Sequence, residues 1–207
     1  MQHPWPGAAV ARTGKEALMI VLGVDPGVRS CGLAVLYREE GSPDPWRAWS
    51  VKTVRTSAKE SLHERLRTIW DAIACGISKT LTVEALGEQT VVAVEEQSGA
   101  SEGARRRGET NADALLVQQV VGLARAATFG DRGDLFVEVT PAEAKRVLIG
   151  MTMTASKAQV QRAIRAVVGG CPTVMSEHAS DAVAIALAGA RKARGLPVLS
   201  LKTTRRR

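Results

Sequence analysis

The stretch Met19-Ile-Val-Leu-Gly-Val-Asp25-Pro-Gly27 decides how the rest of the chain is read. An unbroken apolar block closed by Pro26-Gly27 has the pattern of a buried strand that ends in a turn. An aspartate stands at its end. A carboxylate placed there projects from a rigid edge, and the glycine two residues on lets a phosphate or a metal approach the backbone. The same residues also read as an ordinary Asp-Pro-Gly turn, so Asp25 alone does not choose a chemistry.

Working outward, residues 1–18 are rich in Gly, Ala and Pro, lack a sustained period and read as a flexible leader before Met19. On the other side, Gly32 to Tyr37 and Trp46 to Val54 are strand candidates separated by the turn cluster Gly41-Ser-Pro-Asp-Pro45, and the compact spacing predicts antiparallel hairpins. Ser57 with Glu60 is a capping-box pair, after which Leu62, Leu66, Ile69, Ile73 and Ile77 recur on one helical face. Val91 to Val94 is a fourth strand ending at Glu95. Thr110-Asn-Ala-Asp113 opens a helix with Leu116, Val120, Leu123 and Ala127 on one face and Gly130 as its stop. Leu135 to Val139 is a fifth strand, and Thr140-Pro141-Ala-Glu143 starts the next helix. Two more helices run from about Ala155 to Val168 and from about Glu177 to Lys192. This order predicts one α/β domain over residues 19–192, with a mixed five-stranded sheet flanked by helices, and a basic tail over 193–207.

The last helix is apolar on every side from Ala182 to Ala188, which only a helix buried against a sheet tolerates. Its first turn nevertheless carries His178 and Asp181, three apart and so on one face. Glu95 and Glu96 likewise close an apolar strand, where a charge is costly unless it pairs, binds metal or reaches solvent. Each has a plain alternative, a solvated strand end or a polar first turn that suits the helix dipole. As a set they point further. Carboxylates brought close together cannot all stay ionised without a cation, and hard Mg²⁺ takes a few oxygen ligands while keeping waters and substrate phosphate oxygens. Two ions roughly 3.5 to 4 Å apart would activate water and stabilise the leaving 3′-oxygen of a phosphodiester.

Composition narrows the partners. Hydrophobic residues are 45% and charged residues 24%, which excludes a disordered or fibrous chain. No apolar run approaches the roughly 18 to 20 residues of a membrane span. Cys31, Cys75 and Cys171 show no zinc spacing and read as small buried residues in a reducing compartment, so a cytoplasmic location is expected. A net charge of +7 and a pI near 9.8 imply attraction to polyanions such as nucleic acid. The excess gathers at Arg105, Arg106 and Arg107 and towards the C-terminus. Trp46, Trp49 and Trp70 are expected to pack in the core or at its rim.

A strand-Asp-x-Gly opening is shared by ribonuclease-H-like nucleases and by actin-like or sugar-kinase ATPases. The segments Val21-Leu-Gly-Val-Asp25-Pro-Gly27, Val92-Ala-Val-Glu95-Glu-Gln97 and His178-Ala-Ser-Asp181-Ala-Val-Ala-Ile-Ala186 together resemble the three metal-site motifs of the RuvC family of Holliday-junction resolvases. Between them, Ala144-Lys145-Arg146 and Ser156-Lys157-Ala-Gln-Val-Gln161 resemble that family's basic, DNA-facing segment. The resemblance covers about Met19 to Ala190. It implies a ribonuclease-H-like fold and a Mg²⁺-dependent endonuclease, with Mn²⁺ an acceptable substitute, that resolves four-way junctions and other branched DNA to 5′-phosphate and 3′-hydroxyl ends. It further implies that Asp25, Glu95 and Asp181 bind metal, that His178 takes the place of a fourth ligand that is usually aspartate, and that Lys145 and Lys157 contact phosphates. A homodimer is implied as well, with the helix from about Asn111 to Phe129 as the candidate interface; a branch-migration helicase partner stays open.

One departure stands out. Family members commonly carry an aromatic soon after the glutamate, whereas this chain has Gln97-Ser98-Gly99-Ala100 followed by Arg105-Arg106-Arg107, residues suited to phosphates. That departure favours a broader branched-DNA nuclease. Three alternatives remain: another ribonuclease-H-like nuclease with a different nucleic-acid substrate, a junction-binding protein without cleavage, and an actin-like ATPase, for whose second phosphate loop and second domain the chain has little room.

Overall fold

The structure, a computed structural model, describes residues 18–39, 45–81, 90–96, 111–128, 135–149 and 156–195. Three strands come first: β1 (Leu18–Asp25), β2 (Ser30–Glu39) and β3 (Trp46–Arg55), paired antiparallel in sequence. Then follow α1 (Leu62–Leu81), β4 (Thr90–Glu95), α2 (Asn111–Ala126), β5 (Leu135–Val139), α3 (Pro141–Ile149), α4 (Lys157–Val167), β6 (Val168–Gly169) and α5 (Glu177–Ala193). β4 lies parallel to β1, and β5 parallel to β4, giving the order β5-β4-β1-β2-β3-β6. Mixed pairing is what short hairpins followed by helical crossovers produce.

Both faces of the sheet are covered, because β1 before Asp25 and β4 from Val91 to Val94 are unbroken apolar runs and so must bury alternate residues in opposite directions. Ile20, Leu22 and Val24 pack with Val92 and Val94 against Ile69 and Ile73 of α1 and Val120 and Ala124 of α2. Val21, Val91 and Ala93 face α5 with Val139, Val160 and Ile164. Leu123 stays at the edge of this packing, while Val121 and Ala124 turn inward with Val120, so the buried face of α2 is rotated from the expected one. Tyr37 stacks on Trp49 at 4.8 Å and Arg38 lies over Trp46, so these tryptophans pack at the rim of the sheet.

Two elements differ from the sequence reading. The sheet has six strands and not five, because Val168 leaves the helix with extended backbone and pairs, with Gly169, alongside Trp46 and Arg47. A two-residue strand is too short to show a period. The first helix starts at Leu62, and its cap is Ser61 with Glu64; Ser57 and Glu60 form a separate turn ahead of it. Two successive Ser-x-x-Glu pairs offered two starts, and the apolar face begins only at Leu62. The expected cap at Thr140 with Glu143 is formed, and Ser156 with Gln159 forms a capping box, not read from the sequence, at the start of α4.

α5 lies unusually close to the strands. A Cβ at Gly32 would fall 1.9 Å from the carbonyl oxygen of His178, and one at Gly23 would fall 2.1 Å from that of Ala182. Only glycine permits this approach, and it seats the start of α5 directly over the end of β1.

Candidate active site

Asp25 is the last residue of β1 and Glu95 the last of β4, and the two strands are parallel neighbours, so both carboxylates leave the sheet at the same edge. The third comes from α5. Ser176 caps that helix, accepting from the Ala179 N–H, and its hydroxyl also bonds Thr53 of β3, which ties the helix start to the sheet. Asp181 and His178 follow in the first turns, held over Gly32 by the close approach described above.

His178 Nδ1 lies 2.7 Å from Asp25 Oδ2, within hydrogen-bond distance. Asp25 is only 8% exposed, and burial raises its pKa, opposed by the bonds to His178 and Glu95. Burial pushes Glu95 up to about 7, aided by the negative charges of Asp25 and Asp181 and opposed by Lys145. Asp181 is pushed up to about 6 by burial and then by Asp25 and Glu177, with His178 and Lys145 opposing. The three carboxylates therefore feel one another, and Lys145 of α3 feels two of them. Lys157 of α4 forms an ion pair with Glu177 at the start of α5. Arg105, Arg106 and Arg107 lie outside the described residues.

Among the described residues, no group of three His, Cys, Asp or Glu side chains is gathered closely enough to hold a metal ion as it stands. The donor set nevertheless suits a hard divalent cation: oxygen ligands on rigid element ends, each holding a proton more tightly because it is buried, and Glu95 and Asp181 also because Asp25 is anionic. A cation relieves the repulsion among them.

The family model for the crossover junction endodeoxyribonuclease RuvC matches residues 21–189 of this chain. The chain belongs to the RuvC family. Among RuvC proteins, that of Citrifermentans bemidjiense is 31% identical over 179 residues, covering 84% of this chain and 94% of the relative. The RuvC of Natranaerobius thermophilus is 28% identical over 169 residues, covering 82% and 92%. The structure of Thermus thermophilus RuvC in complex with a Holliday junction substrate is similar with a TM-score of 0.66 and 29% identity, over 86% of this chain and 96% of that one. A yeast mitochondrial Holliday junction resolvase, at TM-score 0.50 and 12% identity, shares the fold. The α/β fold with its mixed sheet is thus that of the ribonuclease-H-like RuvC nucleases. RuvC membership implies a divalent-metal-dependent DNA nuclease. It disfavours the ATPase reading raised by the Asp25 motif alone. Among the described residues, no helix is long and apolar enough to cross a membrane.

Sequence reasoning singled out Asp25 and Glu95 because each closes an apolar run, and Asp181 because it stands just before one. It missed Gly23 and Gly32, whose role is steric and arises only once α5 is packed, and the His178–Asp25 bond, which joins residues 153 apart in the chain.

Proposed function

We propose that this protein resolves Holliday junctions, and other branched DNA, by Mg²⁺-dependent phosphodiester hydrolysis leaving 5′-phosphate and 3′-hydroxyl ends. The observation that carries this reading is the convergence of Asp25, Glu95 and Asp181 from three elements at one sheet edge, where burial raises all three pKa values, Asp25 raises those of Glu95 and Asp181, and Asp181 raises that of Glu95. These residues, with His178, would hold two Mg²⁺ ions, or Mn²⁺ in their place, which activate water and stabilise the leaving oxygen when bound. Asp25, the most buried of the four, fixes the site to the sheet. His178 uses Nδ1 on Asp25, which leaves Nε2 for a second partner, a metal or the attacking water. Lys145 offsets negative charge and, with Lys157, contacts backbone phosphates; Arg105, Arg106 and Arg107 do the same further out.

The protein acts as a homodimer in the cytoplasm, since two symmetric strands of a junction call for two active sites. Leu115 on α2, 63% exposed, supports that helix as the interface. β1 begins at Leu18 and α5 runs to Ala193, which supports residues 19–192 as the nuclease unit between a leader and a basic tail. The test is cleavage by purified protein with Mg²⁺ on a four-way junction and on duplex, flap and RNA–DNA hybrid of matching sequence. Paired nicks in the junction with intact duplex are expected; equal cutting of the duplex or the hybrid would refute the substrate assignment.

A further inference from the structure

Thr53 lies two strands from Asp25, through Gly32, at a lateral distance on the order of 10 Å given the spacing of paired strands. β3 runs in the same direction as β1 and ends at Arg55, two residues beyond, opposite Ser30. Side chains two apart share a face of a strand. Thr53 bonds Ser176 at the start of α5, so Arg55 stands on the α5 face, the one that carries Asp25. There it lines an open cavity of about 360 Å³ together with Val51, Thr53, Pro172, Val174 and Ser176. Val174 is 83% exposed, which gives the cavity an apolar wall beside its hydroxyls.

Arg55 is held on rigid backbone. Its neighbour Thr56 donates its N–H to the Arg29 carbonyl at 3.1 Å and its hydroxyl to that of Val28 at 2.5 Å, clasping the end of β3 to the turn that follows Asp25. Among the described residues the guanidinium of Arg55 has no hydrogen bond or ion pair, and neither has that of Arg29 across the clasp. Arg29 and Arg55 are thus both exposed, without a charge partner among the described residues, on chain clasped by hydrogen bonds beside the end of β1. An exposed guanidinium without a charge partner gains when an anion lies beside it.

We propose that Arg55 binds a backbone phosphate of the cut DNA strand, within about three nucleotides of the scissile bond given roughly 3.4 Å of helix axis per phosphate on a strand. The strand runs along the cavity, its sugar against Val174 and its phosphate on the guanidinium, with Arg29 adding charge at the same edge. A planar fork held by rigid backbone fixes the register of the strand in the site. This reading rests on the proposed junction cleavage.

The test combines Arg55→Gln and Arg55→Lys with a four-way junction in which single phosphates near the cut are replaced by neutral methylphosphonates. In the wild type, one such replacement should slow single-turnover cleavage roughly tenfold or more, the value of one charge-assisted contact. Arg55→Gln should show a similar loss on the unmodified junction and little further loss at that one position, while Arg55→Lys recovers part of the rate. Wild-type rates for Arg55→Gln, or losses that multiply at every position, would overturn the proposal. Equilibrium binding separates it from the cleavage reading. If the wild type binds the junction without cutting it, the proposed function fails, yet a drop of about 0.9 in the salt slope of Arg55→Gln still upholds the contact and an unchanged slope refutes it.

Discussion

Asp25, Glu95 and Asp181 hold protons at pH values where carboxylates in water have lost them. For Glu95 the pKa rises from an ordinary 4.5 to about 7 on folding. An acid whose folded pKa is raised contributes stability that is present below its unfolded value and is lost as pH rises through its folded value. The metal-free protein is therefore expected to melt at lower temperature at pH 8 than at pH 5, with the decline through this window shallower in Glu95→Gln. Mg²⁺ competes with those protons, so its stabilising effect should be larger at pH 8 than at pH 6. Melting curves against pH with and without Mg²⁺ check both; a Mg²⁺ effect that grows as pH falls would contradict the assignment. His178 offers a second test at this scale. His178→Ala should lose most cleavage with the fold intact, and His178→Asp should keep Mg²⁺-dependent cleavage with a changed acid limb in its pH profile. Single-turnover rates against pH at saturating Mg²⁺ decide it, and wild-type rates for His178→Ala would reduce His178 to a polar residue at a helix start.

At the scale of elements, the site is made by the distance between α5 and the sheet. Gly32→Ala would drive a methyl group into the His178 carbonyl, forcing the helix start away from Asp25. The expected result is a stability loss of about 1 to 3 kcal/mol from overpacking, read as a lower melting temperature, and a larger proportional loss of cleavage. Cleavage unchanged in a stably folded Gly32→Ala would show that the close approach does not position the site. This scale also shows what the sequence could reveal. β5 and the capped start of α3 were legible because a short apolar run and capping residues are local signals. The carboxylates were legible because charge at the edge of an apolar run, the end for Asp25 and Glu95 and the start for Asp181, is locally anomalous. β6 was not, since two residues carry no period, and neither was the choice between Ser57 and Ser61 as the cap of α1. The Gly32 contact and the cavity beside Arg55 exist only after residues far apart in sequence have packed, so no local pattern could announce them.

For the whole molecule, the proposed dimer makes a prediction about Leu115, a large aliphatic side chain left in solvent on α2. Leu115→Glu should shift the protein towards monomer in analytical ultracentrifugation and reduce paired cleavage of a junction, while leaving the melting of the monomer fold little changed; an unaltered dimer would place the interface elsewhere. The central claim is that one metal-binding carboxylate site cuts junction DNA while the basic surface holds it. The most direct measurement is cleavage and gel-shift binding by wild type and Asp25→Asn, on one four-way junction with Mg²⁺ present. Phosphate contacts dominate affinity, so Asp25→Asn should bind within about tenfold of wild type and show no cleavage. Cleavage within a few-fold of the wild-type rate would contradict the account.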